Sequence, residues 1–456
     1  MKRPTMLSGT KKKIKSSLNA YGSDHTTFRA GTRKVMYGYY WLHNKFDTFY
    51  LRTDPKKVIF ASFEGRSYSD SPRAFFEYMV RSGDFSGDTL IWGFKSNVPE
   101  YTKKLTRRMR QLTPEGKKAP HLVVVRYNSV EWRKYQARAK YWIYNFKIAD
   151  EISPKADQIF VQCWHGTPLK RLGFDLEHFD SATNTEAGIK KRYAKETKKF
   201  TYFLTTCPYA TEKFTSAWRM DDFGKTDCLI EDGYPRNDIL VNHTAADDDE
   251  IRRRIFGEYF PAYEALTGKK TIILYAPTYR PNEYQVGTGH LMTVAVDFDR
   301  MREEFGEDVI VLFRPHYFVA QAFDFEKYRG FVYDVSDYDD ISDLYLISDL
   351  LITDYSSTMF DFAILERPMI FYMYDLEHYR DASNGFYFDP YEVLPGPIVK
   401  TQEALFDAVR TAMSGFTVDE KYRRFNETFN PNEDGRHSER LSALLFGTSD
   451  TYNEAE

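Results

Sequence analysis

Ile159-Phe160-Val161-Gln162-Cys163-Trp164-His165-Gly166-Thr167-Pro168-Leu169-Lys170 is the stretch from which the fold is read. Its first half is apolar almost without a break, as expected of a strand covered on both faces by helices. A glycine, a hydroxyl residue and a proline follow. They suit a tight turn into a helix, with Thr167 as the cap and Pro168 in the first turn. A buried strand that runs through a turn into a helix is the building unit of a parallel α/β sheet. The unit recurs. Val58–Phe63, Thr89–Phe94, His121–Tyr127 and Tyr141–Phe146 precede it as strand candidates, and Tyr202–Cys207 follows. A second block holds Thr271–Ala276, Val309–Phe313, Phe331–Val335, Leu350–Thr353 and Met369–Tyr374. Two such blocks imply two doubly wound, Rossmann-like α/β domains with a cleft between them. The acidic, Asn/Asp-rich stretch Asn242–Glu250 is the expected linker. The expected division is an extension over 1–54, an N-terminal domain over 55–245, a C-terminal domain over 246–445 and a tail over 446–456.

Composition agrees. A chain of 456 residues exceeds one ordinary core, and 42% hydrophobic with 28% charged residues is globular rather than disordered. The net charge of −3 hides an uneven distribution. Lys2, Arg3, Lys11, Lys12, Lys13 and Lys15 stand in the first 20 residues without an acid, and basic stretches run over Lys103–Arg110 and Lys190–Lys199. Such patches attract anionic lipid head groups or a polyanionic substrate, unless they are simply solvated helix faces. The aromatic segment Val35–Phe46 beside the basic tail suits a membrane interface or packing on the domain. Cys163, Cys207 and Cys228 lack metal-site spacing and argue for a reducing compartment. With no apolar run of about 18 residues and no signal-peptide core, the chain is expected in the cytoplasm. Walker A, dinucleotide-binding GxGxxG and GxSxG signatures are missing, against an ATPase, a dehydrogenase and an α/β-hydrolase.

In open α/β sheets the ligand lies beyond the carboxyl ends of the strands. There the sequence places His165 after Ile159–Trp164, where an imidazole near neutral pKa beside a bound phosphate can serve as a general base. The plain alternative is a hydrogen-bonded structural histidine. Arg314, Pro315 and His316 follow Val309–Phe313, offering a guanidinium fork and a second imidazole to phosphate oxygens. Pro277, Thr278, Tyr279 and Arg280 follow Thr271–Ala276. Asp354-Tyr355-Ser356-Ser357-Thr358 follows Leu350–Thr353 and opens the apolar helix Met359–Leu365. Ser356 or Ser357 is expected to cap that helix, and Asp361 is placed to bond a ribose hydroxyl. Arg236, in Gly233–Asp238, is a further phosphate partner. Together these describe a pyrophosphate site between two domains. A divalent metal could sit at Asp354, although no carboxylate cluster demands one, and no cofactor is called for with certainty.

Gln162–Asp175, Asp232–Asp238, Tyr275–Arg280, Arg314–Tyr317 and Ser348–Ala363 resemble, in order, the motifs of the CDP-glycerol glycerophosphotransferase family, which makes or primes teichoic acids and related capsule polymers. Phe63–Met79 resembles its N-terminal motif, and the likeness spans about Val58 to Arg410. The resemblance implies a GT-B-like architecture, His165 and His316 as the essential catalytic pair, and His165 as the base. It implies donor contacts at His165, Gly166, Thr167, Pro168, Leu169, Arg236, Pro277, Thr278, Arg314, Pro315, His316, Ser356, Ser357 and Asp361. Glu64, Gly65 and Asp70 would face the acceptor. The implied reaction transfers glycerol phosphate or ribitol phosphate from CDP-glycerol or CDP-ribitol to the hydroxyl end of a lipid-linked polyanionic acceptor and releases CMP. The enzyme would lie peripherally on the inner membrane face, with an anionic membrane surface and no nucleic acid as partner. Alternatives are a GT-B glycosyltransferase using a nucleotide sugar, told apart by its released nucleotide, and a non-catalytic wall-assembly partner.

Overall fold

The computed structural model describes residues 46–447 apart from 178, 180–184, 260–269, 279, 281–283, 286–288, 291–293, 316–322 and 383–384. The basic tail and all of Val35–Phe46 except Phe46 therefore lie outside the described residues. Seven parallel strands form the first sheet: β1 (Asp54–Ala61), β2 (Thr89–Phe94), β3 (His121–Arg126), β4 (Ala139–Tyr144), β5 (Ile159–Gln162), β6 (Tyr202–Thr205) and β7 (Leu229–Glu231). β8 (Thr271–Ala276) opens the second domain, and β9 (Tyr284–Gln285) and β10 (Gly289–His290) form a separate antiparallel ribbon. β8 joins β11 (Val309–Phe313), β12 (Val332–Asp334), β13 (Leu350–Thr353), β14 (Met369–Tyr372) and β15 (Ile398–Val399) in a second all-parallel sheet. The orders are β3-β2-β1-β4-β5-β6-β7 and β12-β11-β8-β13-β14-β15, so each sheet reverses beside its own first strand. An open α/β sheet binds ligands at that reversal.

The strands are apolar throughout because both faces are covered. Ile59 pairs in register with Ile91 and Trp142, and the next residue, Phe60, with Trp92 and Ile143. The first trio enters one buried cluster and the second trio another, on the opposite face. The first cluster continues into the second domain through Ile272, Leu274, Ile310 and Leu312. The other is closed by Leu441 and Leu445 of the helix His437–Phe446, which follows the whole second domain and returns to the first. Phe446 packs on Phe75, Phe85 and Tyr141. Asp238 caps this helix, accepting from the amides of His437 and Ser438 at 2.9 Å each.

The expected linker Asn242–Glu250 is not extended. Its second half opens the helix Ala245–Tyr259. Thr244 and Asp247 cap that helix reciprocally, at 2.9 Å and 3.3 Å, and Asp247 and Asp248 favour its positive end.

Candidate active site

His165 stands beyond the end of β5, beside the reversal of the first sheet. Its Nδ1 lies 2.9 Å from the backbone carbonyl of Asn145, beyond β4. A carbonyl only accepts, so Nδ1 carries the proton and Nε2 of the neutral ring bears the lone pair. Trp164 stacks on the ring at 4.3 Å between centroids and Phe63 flanks it at 6.0 Å. The packed walls of the cleft push the His165 pKa below the usual imidazole value, opposed by the Asn145 carbonyl and Asp70. The ring itself remains open to the cleft. Backbone strain gathers here: Phe63, Glu64, Asp70 and Trp164 all hold positive φ, between 46° and 63°. Such conformations cost energy and cluster where geometry serves function.

No helix begins at Thr167. Residues 167–169 stay irregular because the second domain captures them: Leu169 accepts from the Tyr387 amide at 3.0 Å and Lys170 bridges Phe386. Thr167 is buried and its hydroxyl meets that of Thr206 at 3.2 Å, while the Pro168 carbonyl accepts from Tyr209 at 2.9 Å. The helix start next to the histidine turn belongs to the opposite domain. A Cβ on Gly166 would lie 2.4 Å from Ser357 Oγ, so only glycine admits this approach. Ser357 precedes the helix Thr358–Ala363 without a side-chain cap bond, and Ser356 Oγ accepts from the Thr358 amide at 3.3 Å.

Deeper on the second side, Pro277 and Thr278 follow β8, and Asp354 follows β13. Asp354 accepts from the amides of Thr278 at 2.8 Å and Tyr355 at 2.6 Å, and pairs with Arg280 at 2.8 Å. Its carboxylate is thus committed, and no group of three His, Cys, Asp or Glu is arranged to hold a metal ion among the described residues. Arg314 spends Nη1 on the carbonyls of Val335 and Tyr338, at 3.0 and 2.9 Å, and burial lowers its pKa. Pro315 beside it is buried, and His316 lies outside the described residues.

Arg236 is buried and joins the domains. It forks onto Asp361 of the second domain with two bonds of 3.1 Å and reaches Asp70 of the first at 3.3 Å. Asp361 therefore bonds arginine here, and burial still raises its pKa despite that partner. Asp70 continues the join, since its amide donates to Asp340 at 3.0 Å, and Arg73 pairs with Asp340 and Asp343 at 3.0 and 3.2 Å. Of the acceptor-side candidates, Asp70 is thus committed. Glu64 is half-buried and pairs with Lys95 at 2.5 Å, and Gly65 lies where a Cβ would meet the Gly93 carbonyl at 2.8 Å. A cavity of about 430 Å³ opens behind Arg236, but it lies away from His165 and its walls mix both signs, as in Arg81, Arg108 and Arg254 against Glu77, Glu250 and Asp343.

Two residues at the site were not singled out from the sequence. Asn145 follows β4 and orients both His165 and Phe63, whose amide reaches its Oδ1 at 2.8 Å. The strand-end rule finds it once β4 is ended at Tyr144 rather than Phe146. Lys170 sits within the quoted motif.

Two Rossmann-like domains meet here over a histidine, a hydroxyl-bearing helix start and an arginine, in a GT-B-like architecture. The family model described as CDP-Glycerol:Poly(glycerophosphate) glycerophosphotransferase matches residues 44–447, and the chain belongs to this family. It is 36% identical to the teichoic acid poly(glycerol phosphate) polymerase of Bacillus subtilis over 86% of this chain, but spans only 48% of that protein. It is 35% identical to the teichoic acid glycerol-phosphate transferase of Staphylococcus aureus over 89% of this chain and 97% of the relative. The solved structure of the wall teichoic acid polymerase TagF superposes with a TM-score of 0.75 at 33% identity, covering 92% of this chain and 97% of that one.

Proposed function

We propose that this protein transfers an alditol phosphate, glycerol phosphate or ribitol phosphate, from its CDP derivative to the terminal hydroxyl of a lipid-linked teichoic-acid or capsule-type polymer. The carrying observation is His165: Nδ1 is fixed by a backbone carbonyl, and Nε2 is left basic where the two domains touch. The acceptor hydroxyl attacks the donor's β-phosphorus and gives its proton to Nε2. The bond from that phosphorus to the bridging oxygen breaks, and CMP leaves with the oxygen. Phosphoryl transfer asks mainly for positioning and charge stabilisation. Arg314, His316, Ser356 and Ser357 are assigned the pyrophosphate charge. Gly166, Thr167, Pro168, Leu169, Pro277, Thr278 and Pro315 line its path, and Arg236 with Asp361 forms the floor. Glu64 and Gly65 are assigned to the acceptor side.

The basic stretches support an anionic partner. Lys103, Arg107 and Arg110 lie one above another on the helix Val98–Leu112, all exposed and without an ion-pair partner among the described residues. No helix among the described residues is long and apolar enough to cross a membrane. We therefore place the protein peripherally, on the inner face of an anionic membrane.

Purified protein incubated separately with CDP-glycerol and CDP-ribitol, plus a lipid-linked acceptor, should release CMP from one donor in an acceptor-dependent way, and His165→Ala should abolish this with the fold intact. Full activity in that variant would sink His165 as the base. No CMP from either donor, with a known family enzyme active on the same acceptor, would sink the whole reading.

A further inference from the structure

Lys170 is a cation that the described protein does not satisfy. Its ammonium lies 5.2 Å from the ring centroid of Tyr379, and its backbone is pinned across the cleft to Phe386. The surrounding charges are Asp354 on the β13 loop and Arg280 on the β8 loop, with Asp375 behind. Both carboxylates are already taken. Arg280 bonds Asp354 at 2.8 Å and Asp375 at 2.7 and 3.0 Å, the Tyr355 hydroxyl bonds Asp375 at 3.0 Å, and backbone amides fill the other oxygen of Asp354. Arg280 also sits over Tyr379, at 4.9 Å, as a like charge. Three ammonium donors thus have no oxygen acceptor among the described residues, and desolvation pulls the Lys170 pKa to about 8 despite Asp354. A half-buried ammonium with no oxygen partner is placed to receive an anion. A second polar group beside Asp354 points the same way: the Thr278 hydroxyl is buried and unbonded among the described residues, on a residue whose amide is tied to Asp354.

We propose that Lys170 binds a phosphate group of the substrate, sharing its oxygens with the hydroxyl of Thr278. The assignment rests on the CDP-alditol reading above and adds a residue to it. Lys170 lies five positions after His165 on the segment that bridges the domains, so a phosphate held here is fixed relative to the base and to Ser357. A lysine used to bind an anion differs from a structural one in its effect on the free protein. Replacing it by an apolar residue removes a half-buried charge and leaves no carboxylate unpaired.

The test compares wild type, Lys170→Met and Lys170→Arg by calorimetric titration with CDP at pH 7.5 and 9, by KM for CDP-glycerol and for the acceptor, and by thermal melting. Wild type should bind CDP more weakly at pH 9, as the ammonium is lost through about 8. Lys170→Met should weaken CDP binding about ten-fold at pH 7.5, lose the pH dependence and melt no lower than wild type. Lys170→Arg should keep the affinity at both pH values. Unchanged CDP binding with a ten-fold higher acceptor KM would assign the phosphate to the acceptor instead. The proposal falls if CDP affinity and both KM values stay within two-fold, or if Lys170→Met only lowers the melting temperature. Wild type that binds no CDP and releases no CMP would instead refute the donor reading beneath it.

Discussion

Replacing Arg236 by methionine should cost more stability than any exposed substitution, and the size of the loss follows from its surroundings. Arg236 is 4% exposed, and Asp70 and Asp361 are 7% each, one from each domain. Methionine keeps much of the volume but leaves two buried carboxylates without their common partner. Breaking a buried pair by removing one side costs about 3–5 kcal/mol, or roughly 3–5 °C in melting temperature for a chain of this size. The loss should depend on pH. Asp361 already holds a raised pKa with the arginine present, because burial outweighs it. Without the arginine the Asp361 carboxyl rises further and takes up a proton. Below the unfolded carboxylate value the penalty vanishes; it grows as pH climbs toward the folded value, by about 1.4 kcal/mol per unit. Scanning calorimetry of Arg236→Met at pH 5 and pH 7.5 should therefore show the larger deficit at pH 7.5. The triple variant R236M/D70N/D361N should recover most of it, since no buried charge is then stranded. If that variant is stable yet releases no CMP, Arg236 serves the donor directly; restored activity would make it a structural joint alone. A single variant that melts within a degree of wild type at pH 7.5 would refute the electrostatic account of this joint.

The lowered pKa of His165 should make kcat/KM rise with pH through a value below 6.5 and then level off, in a profile measured with saturating acceptor. Gly166→Ala would set a Cβ 2.4 Å from Ser357 Oγ and 2.8 Å from its Cβ, forcing the domains apart by about 1 Å; kcat/KM should fall about 100-fold with unchanged circular dichroism. Burial pulls His437 down, but Glu433 at 2.9 Å, with Asp238 and Asp232, outweighs it and raises the pKa. Its charged form thus stabilises the fold fully below about 6.5 and loses that contribution as pH rises through the raised value. Melting temperature should drop between pH 6.5 and 8.5, and His437→Gln should flatten the drop.

Where burial on both faces dictated an unbroken apolar run, the sequence was transparent: Thr89–Phe94, Thr271–Ala276, Val309–Phe313 and Leu350–Thr353 are strands to the residue. β7 and β15, of three and two residues, carry too little pattern to stand out. The turn chemistry of Gly166-Thr167-Pro168 pointed to a local helix, and pairing with Phe386 and Tyr387, more than 200 residues away, overrode it. The acidic, Asn/Asp-rich stretch Asn242–Glu250 suggests a linker, although the same side chains cap helices. Arg236, Asp361 and Asp70 looked like separate ligands for phosphate, ribose and acceptor. That they bond one another is a fact of two domains meeting, which no local pattern records.

The return of His437–Phe446 to the first domain also bears on synthesis. Leu441, Leu445 and Phe446 complete a core whose other members, Val58, Phe60, Phe75 and Tyr141, left the ribosome hundreds of residues earlier. Until the last helix emerges, the early domain carries an uncovered apolar face while the later one is still being made, a condition that invites association with other nascent chains. The first half thus completes its core only with the second, and a ribosome stalled within residues 270–430 would hold a chain with part of that apolar face uncovered.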